Sequence, residues 1–159
     1  MKILLRVSDA VDKVWGFIVI ALFMVMTVTY SGQIVLRYVF QTGFIWTDEL
    51  TRYLDVWAIM VGIGLIAKRR NHINVSILEE FLPKTPRAWL IVIQQVFSLI
   101  FFSLMFYFSF DLIKIAGTQL STNMRIPKAW VYSIFPVAFA VFVFQTFVSI
   151  VKSIKEART

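Results

Sequence analysis

Asp48, Glu49, Arg52 and Asp55 stand at the head of an otherwise apolar run. Ionised side chains in such a place are costly unless they are paired, reach the interface or face protein. Their available chemistry is charge pairing and hydrogen bonding to a partner. On a helix, Trp46, Glu49, Tyr53 and Trp57 form one stripe, and Asp48, Arg52 and Asp55 form an adjacent one. Asp48 precedes Arg52 by four residues, the better orientation for an acid–base pair on a helix. Both leading acids also lie near the positive end of the helix dipole. Two readings stand: an interfacial belt of aromatics and charges at headgroup level, or a face docked on another protein. Asp55, more than two turns in from Trp46, favours docking. Ala58 and Gly62, at a four-residue spacing, and Gly64 allow close approach of a second helix.

Little else in the chain could react. There is no cysteine, so there is no disulfide, thiol redox pair or thiolate metal site. His72 is the only histidine, so a haem held by two histidines within the chain is ruled out. No HExxH, GxSxG or phosphate-binding glycine loop is present. These absences predict no catalytic set, no substrate or metal site and no cofactor. No acid sits alone in the middle of an apolar run, as a small proton-coupled transporter would need. Arg37, Lys114, Arg125 and Lys128 form a second group of interest. They either bind lipid phosphate, with Asp111 as a further partner, or form a basic patch for an acidic protein.

The elements that position these residues follow from composition. The chain has 159 residues, is 59% hydrophobic and 16% charged, and has a mean hydropathy of +0.78. Soluble domains lie near 45–50% apolar and about 25% charged. A water-soluble core cannot absorb that excess in so short a chain, and a bilayer can. Four runs, about 14–36, 46–67, 90–113 and 130–151, exceed the roughly 20 residues that cross hydrocarbon. They lack the alternation of a membrane β-barrel. The expected fold is therefore an all-α integral membrane protein: one domain of four transmembrane helices over 1–159. The first run is too long for a signal-peptide core and has no cleavage site after it, so it stays as a span. Before it, Ile3, Leu4, Val7, Val11, Val14 and Trp15 recur at helical spacing. They predict an amphipathic helix on the membrane surface that turns into the first span. A second short surface helix is expected before Pro83 and Pro86. Eleven of the sixteen basic residues precede the first run, follow the fourth or lie between the second and third. The positive-inside rule puts those segments, and both termini, in the cytoplasm. The net charge of +7 then reflects topology and anionic lipid, and nucleic acid is not an expected partner.

Trp46-Thr47-Asp48-Glu49-Leu50-Thr51-Arg52-Tyr53 is followed by Trp57, Gly62 and Gly64, and then by Asn71-His72-Ile73-Asn74-Val75. This order resembles the small membrane subunit, of DctQ/SiaQ type, of tripartite ATP-independent periplasmic (TRAP) transporters. The stretch Arg125-Ile126-Pro127-Lys128-Ala129-Trp130-Val131-Tyr132, with Pro136, resembles that family's entry to its last helix. The resemblance implies a non-catalytic subunit in the bacterial inner membrane. Its implied partners are a large subunit of about twelve spans, which it braces, and a periplasmic substrate-binding protein, which it helps dock during sodium-coupled organic-acid uptake. The residues alone leave two other classes open: a self-sufficient small oligomeric transporter, and a scaffold or assembly factor of another membrane complex.

Overall fold

The computed structural model describes residues 2–68 and 84–157. Arg69, Arg70, His72 and the expected surface helix before Pro83 lie outside them. The described residues form five helices: α1 (Lys2–Tyr38), α2 (Ile45–Lys68), α3 (Lys84–Gly117), α4 (Ala129–Tyr132) and α5 (Ile134–Ala157). Leu120 and Pro127 form an isolated antiparallel bridge. Three stretches are long and apolar enough to cross a membrane: Leu5–Tyr38, Trp89–Gly117 and Ala129–Ile154. Helix α2 is not among them. Its 24 residues reach about 36 Å, but the ionisable head leaves too little uncharged length.

Helix α1 differs from the expected bend between a surface helix and a span. It runs unbroken for 37 residues, about 55 Å. No proline interrupts it, and its first half is held by polar contacts. Ser8 Oγ donates to Gln145 Oε1, and Gln145 Nε2 donates to the Ser8 carbonyl at 3.1 Å. Both side chains are buried, while Ile3, Val7 and Val14 of the expected apolar face are exposed. The small polar residue packs against α5, and the stripe is split: Ile3, Val7 and Val14 point away, while Trp15 packs against Gly64 of α2.

The last apolar run is divided. Pro136 lacks an N–H, and its ring clashes with the carbonyl four residues earlier, that of Tyr132. Helix α4 accordingly ends at Tyr132 and α5 begins at Ile134. Ser133 Oγ caps the break by donating to the Trp130 carbonyl at 2.7 Å. Pro86 falls in the first turn of α3, where its missing N–H had no helical acceptor to lose.

The helices pack in the order α1, α2, α5, α3, with α5 touching both α2 and α3 extensively. Ala138 and Phe142 of α5 and Val61 of α2 are almost fully buried. Phe102 of α3 stacks on Phe142 with ring centroids 3.7 Å apart, and Gln95 Nε2 donates to Ser149 Oγ at 3.0 Å. Phe97, Phe101, Tyr107 and Phe108 occupy the exposed side of α3. The aromatic wealth of that helix is thus divided between a seam and an open face.

Candidate functional site: the head of α2 and the hairpin it holds

Two chain reversals frame the head of α2. After α1, Gln41 takes the left-handed conformation (φ 50°), and Thr42 N–H donates back to the Leu36 carbonyl at 3.0 Å. The connection from α3 to α4 is a hairpin. Ser121 N–H donates to the Ile126 carbonyl at 2.8 Å, and Lys128 N–H to the Gln119 carbonyl at 3.0 Å. Arg125 turns its tip with φ 52°. This reversal leaves successive backbone N–H groups pointing the same way, a geometry that binds anions.

Glu49 is the anion. Its Oε2 accepts from the N–H groups of Asn123 at 2.9 Å and Met124 at 3.0 Å. Its Oε1 accepts from Thr122 N–H at 3.2 Å and from the Tyr53 hydroxyl at 2.6 Å. Asn123 Nδ2 donates to the Ile45 carbonyl at 3.4 Å, and Trp57 Nε1 to the Val131 carbonyl at 3.0 Å. The Glu49, Tyr53 and Trp57 stripe therefore faces the chain's own hairpin and α4. Trp46 stays exposed and lies 5.9 Å, centroid to centroid, from Phe44.

The second stripe goes elsewhere. Asp48 accepts from Gln33 Nε2 of α1, so the Asp48–Arg52 pair suggested by spacing does not form. Arg52 and Asp55 are exposed, and among the described residues they make no hydrogen bond or ion pair. Ala58 is buried. The close helix approach runs through Gly64: a Cβ there would lie 2.6 Å from Trp15 Nε1 and 3.2 Å from Val141 Cγ1. At Gly62 a Cβ would meet nothing within 4 Å.

The four basic residues gather at this same end, on the last turns of α1 and α3 and on the hairpin. Lys114 pairs with Asp111 at 3.3 Å, and Lys128 Nζ donates to Gln119 Oε1 at 3.3 Å. Arg37 borders a cavity of about 370 Å³ that Gln33, Thr42 and Asp48 also line. Arg125 is exposed at the hairpin tip. Among the described residues, no group of three or more His, Asp or Glu side chains is placed to hold a metal ion. The arrangement offers rigid hydrogen bonding and charge, and no nucleophile paired with a base.

Residues 24–156 match the family described as "Tripartite ATP-independent periplasmic transporters, DctQ component". The chain belongs to this family. It is 25% identical to a TRAP transporter small permease protein of Haemophilus influenzae, over 96% of this chain and 93% of that one. It is 24% identical to the sialic acid TRAP transporter permease protein SiaT of the same species, over 82% of this chain but only 20% of the longer one. It is 28% identical to the C4-dicarboxylate TRAP transporter small permease protein DctQ of Vibrio cholerae, over 49% of this chain and 34% of that one. As a DctQ component, the chain is a multi-pass membrane protein of a transport system. Within it, the Trp46–Tyr53 element is an internal latch on one side and an open charged face on the other.

Proposed function

We propose that this chain is the non-catalytic small membrane subunit of a TRAP transporter in a bacterial inner membrane. It braces a large transport subunit and helps dock the periplasmic binding protein during sodium-coupled organic-acid uptake. Helix α2 makes a fourth span, and both termini and the 69–83 connection face the cytoplasm. The observation that carries the reading is the divided head of α2 in a DctQ component. Glu49 fixes the hairpin as a rigid outer surface, while Arg52 and Asp55 are left open to another protein.

Two features of the relatives support it. A segment like this chain occupies about a fifth of SiaT, which suits a subunit that works against a much larger membrane protein. The names of the relatives cite sialic acid in one case and a C4-dicarboxylate in another. A role shared across such different substrates suits a scaffold better than a substrate site. Arg37, Arg125 and Lys128, around the hairpin end, supply the basic surface for docking, and such charges act mainly on association rate.

Reconstitution tests this. The chain alone in proteoliposomes should move no organic acid. Uptake should appear when the large subunit, the binding protein and an inward sodium gradient are supplied. Uptake by this chain alone would overturn the accessory role.

A further inference from the structure

We infer that the outward seam of α2, formed by Arg52, Asp55, Ile59, Gly62 and Ile66, seats one transmembrane helix of the large subunit. That helix carries a carboxylate opposite Arg52 and a cationic or N–H-donating side chain opposite Asp55. The inference rests on the proposed role as a small TRAP subunit and adds where its partner sits and with what chemistry. The five residues alternate at three- and four-residue spacing, the pattern of a two-helix seam. They lie on the side of α2 away from Glu49, Tyr53 and Trp57. Ile59 and Ile66 are 53% and 45% exposed, and the backbone at Gly62 opens on empty space.

Charge decides the occupant. Asp55 lies six residues beyond Glu49, which is bound to the outer hairpin; it therefore sits about 9 Å further along the helix, inside the roughly 30 Å of hydrocarbon. Arg52 has a stem long enough to reach the headgroups, but Asp55 does not. A carboxylate at that depth is not left to lipid, so protein covers the seam. A second copy of this chain is a poor cover. Copies share one orientation in the membrane, and the layers of a parallel pair set each seam residue against its own counterpart. Arg52 would meet Arg52, and Asp55 would meet Asp55. A different chain with the opposite charge order satisfies both, and the notch at Gly62 admits one of its large apolar side chains. The exposed face of α3, from Phe97 to Tyr107, carries no charge and suits lipid.

A photo-cross-linking residue at Ile59, or at Phe97, in the full chain co-expressed with its large subunit tests this in native membranes. Irradiation should join this chain to the large subunit from position 59 and not from position 97. Arg52→Glu should lower recovery of the large subunit with the tagged chain by about tenfold or more, and Arg52→Lys by much less. Transposing the charges (Arg52→Asp with Asp55→Arg) keeps any attraction between the two and should fail as badly as the reversal. Adducts from position 97 only, an adduct of two copies of this chain from position 59, or recovery untouched by the transposition would each overturn the inference. In those cases the parent chain still recovers the large subunit, and the small-subunit role stands. Failure of the parent to recover it would overturn both. Ile59 touches little within the chain, so the labelled protein should elute as the parent does.

Discussion

Glu49 holds its hairpin by the backbone, and this makes the contact insensitive to the side chains of the tip. Thr122, Asn123 and Met124 contribute only their N–H groups to the carboxylate, so substitutions at Thr122 and Met124 should be mild while Glu49 is intact, whereas Asn123 also gives its side chain to the Ile45 carbonyl. Glu49→Ala removes the acceptor of three backbone donors and of the Tyr53 hydroxyl at once. Amide exchange at 122–124 should then rise severalfold, while exchange in α5 stays unchanged. Tyr53→Phe should raise it far less, because it removes one donor and leaves the nest. Equal protection in parent and Glu49→Ala would show that the bridge of Leu120 and Pro127 holds the hairpin without it. The sequence singles out Glu49, because a charge in an apolar run needs a reason. Its partner was not legible. The donors lie more than seventy residues away and are main-chain groups, which no residue type marks. Arg52 and Asp48 show the opposite failure. Their spacing suggests a pair, but Gln33 of α1 takes the acid.

At the scale of elements, two glycines two residues apart on α2 separate packing within the chain from packing outside it. Gly64 carries the internal contact, where the Trp15 indole and Val141 occupy the space of a Cβ. Gly64→Ala should push α1 from α2 and cost about 1–3 kcal/mol, the range for overpacking a fitted interior. Gly62→Ala has room and should leave the isolated chain unchanged or raise its stability by up to about 1 kcal/mol through helix propensity. Thermal unfolding in detergent separates the two, and equal losses would mean that both glycines pack internally. The helical class was legible from the four apolar runs. The bend expected near Val14 was not found, because the pattern of Ile3, Val7 and Val14 carries no information about the Ser8 clasp to α5. The division of the last run was legible only as a proline. Where the helix would part, between Tyr132 and Ile134, depended on which carbonyl the ring displaced.

At the scale of the whole molecule, α3 stands apart. It joins the row through α5 and α4, and its uncharged stretch from Trp89 to Phe110, ahead of the exposed Asp111 and Lys114, has 22 residues, about 33 Å. Hydrocarbon is roughly 30 Å thick. To keep that stretch out of water, α3 leans about 25° from the membrane normal, within the usual range of about 0–40°, or the lipid around it thickens by about 3 Å. Helices α1 and α2 are tied to each other through Gly64 and Asp48, so the adjustment falls on the seam between α3 and α5. The subunit should therefore respond to the thickness of its bilayer as a hinged rod does to the height of a ceiling. Spin labels at Phe97 on α3 and Ile20 on α1 should report a distance that changes as the acyl chains of the bilayer lengthen. A pair on α1 and α2, at Ile20 and Ile59, should stay fixed. A constant distance in both pairs would mean that the row moves as one rigid plate, and that the surrounding lipid alone absorbs the mismatch.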